Sequence, residues 1–328
     1  MRSHTVPKRL LKQFAYDDPI TRSPRLWRYT KGRHPFPGVA PKIATSVEGY
    51  FADPSDVELE RLVETRLAYE IEDPVHKFLP NFSDVSWTMS DLQRQQMTRY
   101  ITLLFGRCAA RRAAEAHLQD IKIYALNKFL SNESQLLTVA MHWSINAFPK
   151  GLRFTVKDVA LGAKRLAAGL RSPSAAQQSF VKSVLGGMTI FDEAMYHGDW
   201  RLVRTTDDDP FILSDTPFVT WHRVPTGEFS YGISTSIPNV EVVLPISPLA
   251  CLHILPRVKR TLGVLIPTVQ EINIAQAAFA HHACFANQNK KELDDVMQRY
   301  AHTVQLGRNA FTLWHRNFDD LFFDILMR

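Results

Sequence analysis

Cysteine is scarce. The three in these 328 residues, Cys108, Cys251 and Cys284, stand far apart with no Cys-x-x-Cys spacing. That excludes a disulfide framework and a zinc-finger ligand set, and it leads us to expect a reducing, cytoplasmic setting. Long apolar runs are missing too: no window holds the ~18 uninterrupted apolar residues that a membrane span needs, so no membrane association is expected. The N-terminus lacks the basic-then-apolar layout of a secretory signal, because Val6, Leu10 and Leu11 alternate with Pro7, Lys8, Arg9 and Lys12. There is no Gly-rich phosphate loop, no Gly-x-Ser-x-Gly elbow, no Cys–His protease signature, no repeat and no low-complexity tract. P-loop nucleotide hydrolysis and the common hydrolase and thiol-protease designs are therefore set aside.

What is present is an ordinary apolar content of 45%, enough for one large core or two modest ones, and an uneven charge. Nine of the Lys and Arg residues lie in the first 40 positions against Asp17 and Asp18, a local balance of +7 within a total of +6, so the remaining 288 residues carry −1. Phe14, Tyr16, Trp27, Tyr29 and Phe36 are interleaved with those cations. Such a mixture suits nucleic acid, with cations on phosphates and rings on bases. It equally suits a surface whose rings face inward while the cations face water.

Pro7 is placed to open a short helix through Phe14. "PRLWRYTKGRHPF" reads as strand, glycine turn, strand. Leu59, Leu62, Val63, Leu67 and Ile71 recur at helical spacing within 55–79, and Ser90 is placed to cap a long helix. Helical pattern continues to about 195, broken near Pro149 and Pro173. The second half changes period: "WRLVRTTDDDPFILSDTPFVTWHR" reads as two strands around an acidic turn, "VEVVLPISPLACLHILP" as another pair and "RTLGVLIP" as a short strand. The fold class is α+β, with a helical middle region packed on an antiparallel sheet built from the N-terminal hairpin and the late strands. The apolar run Val6, Leu10, Leu11, Phe14 is then expected to be pinned to the core.

Several landmarks follow in order: "HTVPKRLLKQF", "LWRYTKG", the glutamate-rich "LERLVETRLAYEIEDPVHKFL", "LLFGRCAARR", "PFILSDTPF", "VVLPISP" and "INIAQAAFAHHACFA". This succession resembles the bacterial domain-of-unknown-function family 4238. The matching positions are His4, Val6, Pro7, Leu11, Phe14, Trp27, Tyr29, Glu72 with Glu64, Ser214, Asp215, Pro217, Pro245, Ser247, Pro248 and Asn273. The family's arginine helix has Arg-Thr-Pro where this chain has "ARRAAE", so either Arg111 or Arg112 stands there. The resemblance implies one domain over 1–287, with 288–328 as a helical C-terminal extension, and it brings no reaction with it.

Chemistry must then come from the residues. Asp215, delivered by a strand into a proline turn, is a candidate acid–base or metal-binding carboxylate; the alternative is an Asx turn. His4, held by Val-Pro, is a candidate base, and Glu72 a second carboxylate. Together the three would suit Mg²⁺ or Mn²⁺, with Asp215 and Glu72 as ligands, or metal-free acid–base work. Arg107 and Arg111 lie four apart on one helix face. Arg111 is the candidate anion clamp, while the alternative pairs this face with Glu64 or Glu72. Lys8, Arg9 and Lys12 are the candidate phosphate contacts. The adjacent His281 and His282 with Cys284 make a poor zinc set. Arg308 and His315 have the spacing of a motif that resembles the ribonucleases of the HEPN superfamily. The expected function is a hydrolase acting on a phosphate-bearing substrate such as nucleic acid. The alternatives are a non-catalytic module that binds nucleic acid or protein through the basic N-terminal region, and a subunit whose C-terminal tail docks on another chain.

Overall fold

The computed structural model describes residues 2–52, 58–84, 86–147, 153–171, 189–223, 229–231, 239–257 and 265–301, together with Gln177, Gln178, Phe180, Val181, Val184 and Thr303. Arg308, His315 and the rest of the C-terminal tail, and most of the expected strand "RTLGVLIP", lie outside these residues. The protein is α+β with antiparallel sheets. It forms two compact units: Met1–Ala52 with Asp56–Arg112 and Val181–Leu306, and Asp53–Ser55 with Ala113–Phe180 and Gly307–Arg328. No described helix is long and apolar enough to cross a membrane.

In the first unit, β1 (Arg2–His4) pairs with β5 (Ser46–Glu48). Helix α1 (Lys8–Gln13) follows, and Val6, Leu10, Leu11 and Phe14 are all fully buried in the main core, so the opening segment is part of the fold. The hairpin of β3 (Pro24–Tyr29) and β4 (Phe36–Val39) turns through Gly32, whose φ of +74° favours a residue without Cβ. Strand β3 also pairs with β2 (Tyr16–Asp17) on one side and with Cys284–Ala286 on the other; that late strand in turn pairs with Leu213–Ser214. The other late strands make a separate sheet of five: Asp199–Arg204, Ala250–Leu255, Val240–Ser247, Val219–Arg223 and Phe229–Tyr231, in that spatial order. The N-terminal hairpin therefore joins late strands as expected, but in a sheet of its own.

The two neighbouring inner strands of this second sheet, Val240–Ser247 and Ala250–Leu255, are buried on both faces and so read as nearly continuous apolar runs. The sheet encloses one polar set that no sequence period reveals. Glu241 Oε2 accepts the Trp221 Nε1–H at 3.0 Å and the His253 Nε2–H at 2.9 Å.

Residues 210–217 have little strand pairing, and side-chain amides of the helix Val269–Phe279 replace it. Asn273 accepts from the Ile212 N–H and donates to the Pro210 carbonyl. One turn on, Gln276 accepts from the Ser214 N–H and donates to the Pro217 carbonyl. Thr268 and Glu271 cap this helix reciprocally, as Ser90 and Gln93 cap Asp91–Arg107. The helix Lys291–Tyr300, placed by sequence in the C-terminal extension, buries Leu293 and Met297 against Tyr29, Ile212 and Ala277 and so belongs to the core of the first unit.

The second unit is helical. Leu126 and Phe129 from Ala109–Leu130, Leu136, Val139 and Ala140 from Glu133–Ala147, and Val159, Ala163 and Ala167 from Val156–Leu170 make its own core.

Candidate functional site

The glutamate-rich helix runs without a break through Leu59–Arg66, a wide turn at Leu67–Glu72 with i→i+5 hydrogen bonds, and Asp73–His76. In a regular α-helix, Glu64 and Glu72 would point about 80° apart, at 100° per residue. The wide turn takes up that offset, and both carboxylates reach Arg107. The guanidinium is 1% exposed; it donates to Glu72 Oε1 and to the main-chain carbonyl of His4, and Glu64 Oε1 lies 3.6 Å away. Its Nε has no hydrogen-bond partner. Glu60, also buried, accepts the Ser3 hydroxyl at 2.9 Å. Burial, with the Glu72 charge adding to it, pushes the Glu64 carboxyl above its ordinary range, while Arg107 pulls it down.

His4 and Glu72 do converge, but on Arg107. The His4 ring is turned elsewhere: its Nε2–H donates to the Lys42 carbonyl at 2.9 Å, and burial lowers its pKa. Glu72 is occupied by the guanidinium. A histidine and a glutamate so engaged are supports of the fold. Arg111, the expected clamp, lies over the Phe105 ring, 5.8 Å from its centre; Arg107 is the residue that pairs with the glutamates.

His76, at the end of the same helix, sits 3.4 Å by Nε2 from the Tyr100 hydroxyl, and its buried Nδ1 has no partner. Burial pushes its pKa down from 6.5 to about 4, with Glu72 opposing. A depressed histidine leaves the folded state short of a proton between the two values, so stability is full above pH 6.5 and falls as pH drops towards 4. The loss is expected to be on the order of 1–2 kcal/mol once partial solvent screening is allowed for. Melting curves of His76→Gln against the parent, between pH 4 and 7, check this: the parent should lose more stability on acidification.

Asp215 does not join that cluster. It is buried, and both carboxylate oxygens are used: Oδ1 accepts the His281 N–H at 2.7 Å, and Oδ2 accepts those of His282 at 2.7 Å and Ala283 at 3.3 Å. Its own N–H donates to the Ala283 carbonyl at 3.0 Å. Successive N–H groups wrap an anion as a nest does, and here the anion is a side chain of the same fold. Burial pushes this carboxyl above its ordinary range, against which the His281 and His282 N–H groups pull it down. Neither the free carboxylate nor the Asx turn read from sequence is present, because the donors come from 66 to 68 residues downstream. Among the described residues no group of three or more His, Cys, Asp or Glu side chains could hold a metal ion; Glu72 is paired with Arg107, and Asp215 is occupied by three N–H groups.

What the Asp215 clamp does is hold one wall of a cleft of about 530 Å³. The hairpin brings Arg28, Lys31 and Arg33 to the same cleft, His281 and His282 stand exposed on the clamped segment, and Thr5, Thr30, Thr45 and Ser46 are among the other lining residues. Asp215 is the only carboxylate among the described lining residues, and it is turned into its nest. The hairpin turn is itself held: Gln298 accepts from the Gly32 N–H and donates to the Arg33 carbonyl, and the Lys31 ammonium donates to the Ala301 carbonyl. Lys8, Arg9 and Lys12 do not line this cleft. They lie on the exposed side of α1, with Arg9 paired to Asp73 at 3.1 Å.

Arg28, Lys31 and Arg33 belong to the basic N-terminal segment legible in the sequence, but which of its nine cations share a cleft depends on β3 pairing with a strand about 255 residues away. The histidine pair carried no signal beyond its weak zinc reading.

A family model described as "Protein of unknown function (DUF4238)" matches residues 2–290. No curated protein and no solved structure matches the chain.

Proposed function

The chain belongs to the DUF4238 family, and we propose that it binds a phosphate-bearing ligand, nucleic acid first of all, in the cleft between the hairpin and the His281–Ala283 segment. The observation that carries this reading is the meeting of three cations in one cleft where, among the described lining residues, the one carboxylate, Asp215, is taken up by main-chain N–H groups. A cationic concavity favours polyanions through counterion release. Phe36 supports nucleic acid in particular. It is exposed, sits across the strand pair from Arg28 and stacks with that guanidinium at 5.5 Å, so it offers a ring beside a phosphate contact. The same proposal places the protein in the bacterial cytoplasm, where its three buried cysteines stay as free thiols.

The test is a titration of labelled single-stranded RNA at ~50 mM salt, where phosphate contacts are strong. Replacing Arg28, Lys31 and Arg33 together with Gln should weaken binding about tenfold or more and flatten the salt dependence by about two units of slope. The triple Gln variant at Lys8, Arg9 and Lys12 should change both far less. Equal losses from the two triple variants would show a diffuse basic surface in place of a cleft; no loss from the first would end the assignment.

A further inference from the structure

We infer that His281 and His282 form an acid–base pair that cleaves RNA held in this cleft, an inference that rests on the phosphate-binding reading above. The groups expected from sequence to do such work are committed elsewhere: His4 to the Lys42 carbonyl, Glu72 to Arg107, and Asp215 to three N–H groups. The two imidazoles are exposed into the cleft, with ring centres 4.2 Å apart and planes at 64°. Imidazole is the side chain suited to taking up and releasing protons in the neutral range.

Their placement is rigid at the base. Each main-chain N–H is tied to the buried Asp215, and the strand Leu213–Ser214 just before it is tied through Ser214 to Gln276. Groups held in this way have part of the ordering cost of reaction already met. Arg28, Lys31 and Arg33 line the same cleft, with one donor of Lys31 used by the Ala301 carbonyl; cations so placed stabilise the charge that develops on phosphoryl oxygens.

The step needs no further reactant. A neutral imidazole takes the proton of the ribose 2′-OH as O2′ forms a bond to phosphorus. The P–O5′ bond breaks, and the other imidazole, protonated, gives its proton to the departing O5′. The products are a 2′,3′-cyclic phosphate and a 5′-hydroxyl end. DNA lacks the 2′-OH, so it is bound and left intact. Asp215 is a positioning residue in this scheme.

The experiment follows binding and cleavage in the same samples, using a single-stranded RNA oligonucleotide and its all-deoxy counterpart in the presence of EDTA. The full chain should bind both, cleave only the RNA and leave cyclic-phosphate ends identifiable by mass. His281→Ala and His282→Ala should each slow cleavage by about a hundredfold or more, with RNA binding within about threefold of the parent. His281→Gln and His282→Gln replace either alanine variant that fails to melt cooperatively. Binding without cleavage overturns the inference and leaves the cleft reading standing. So does cleavage that EDTA abolishes, or that survives both histidine substitutions. Absence of binding overturns both readings.

Discussion

Replacing Arg107 with methionine should destabilise the protein by about 3–5 kcal/mol, the cost of breaking a buried ion pair from one side. The guanidinium is 1% exposed and is the partner of Glu72, close to Glu64 and bonded to the His4 carbonyl. Removing it leaves two part-buried carboxylates facing each other, and Glu64 already resists its charge because of burial. It also frees the end of β1, so the N-terminal segment should loosen first. Arg107→Lys keeps the charge but loses the planar fork that reaches several acceptors at once, so it should recover only part of the stability. The double variant Arg107→Met with Glu72→Gln should be more stable than Arg107→Met alone, because one uncompensated charge is removed. Denaturant melts of the three variants decide this. A methionine variant that unfolds with the parent would mean the cluster contributes nothing.

The second large effect is expected at Asp215. The conservative change to Asn removes the charge and one of two acceptors, and it turns an N–H₂ donor towards the N–H of His281 or of His282. Relief from burying a charge offsets part of the loss, since burial already pushes this carboxyl up. A buried N–H left unpaired still costs about 1–3 kcal/mol, and a hydrogen bond to a charged acceptor is among the stronger ones. Destabilisation of about 1–3 kcal/mol is therefore expected, together with weaker RNA binding as the His281–Ala283 wall moves. For an ordinary Asx turn the same substitution would be nearly neutral, because Asn also forms such turns. A variant as stable as the parent yet inactive would instead restore Asp215 as a catalytic group.

These two residues show how far local pattern reaches. The amphipathic opening, the hairpin around Gly32, the Ser90 cap and the paired strands 240–247 and 250–255 all follow from spacings of a few residues, and the structure contains each of them. The helical period through Leu59, Val63 and Leu67 is equally plain, although Leu62 in the same pattern is exposed, since a periodic stripe does not say how wide the buried face is. The concentration of cations in the first 40 residues, and the absence of a Gly-rich phosphate loop, a Gly-x-Ser-x-Gly elbow and a Cys–His protease signature, were also legible without a fold.

The roles of individual polar residues were not. Asp215 read either as a free carboxylate or as an Asx turn satisfied by its own neighbours; its donors instead arrive from residues 281–283 once Leu213–Ser214 pairs with Cys284–Phe285. Arg107 and Arg111 were expected on one helix face, but the extended Cys108 breaks the helix between them: Arg107 ends Asp91–Arg107 and is buried among glutamates, while Arg111 lies in Ala109–Leu130. Arg28, Lys31 and Arg33 are three cations among nine until β3 pairs with Cys284–Ala286 and sets them across from His281 and His282. Hydrophobic period and turn chemistry act over one or two turns of chain, so the sequence by itself determined the elements and the basic character of the N-terminal segment. The desolvation of a charge depends on whatever the fold brings within a few ångströms from anywhere in the chain, so only the tertiary structure decided which charged groups are spent on stability and which remain to meet a ligand.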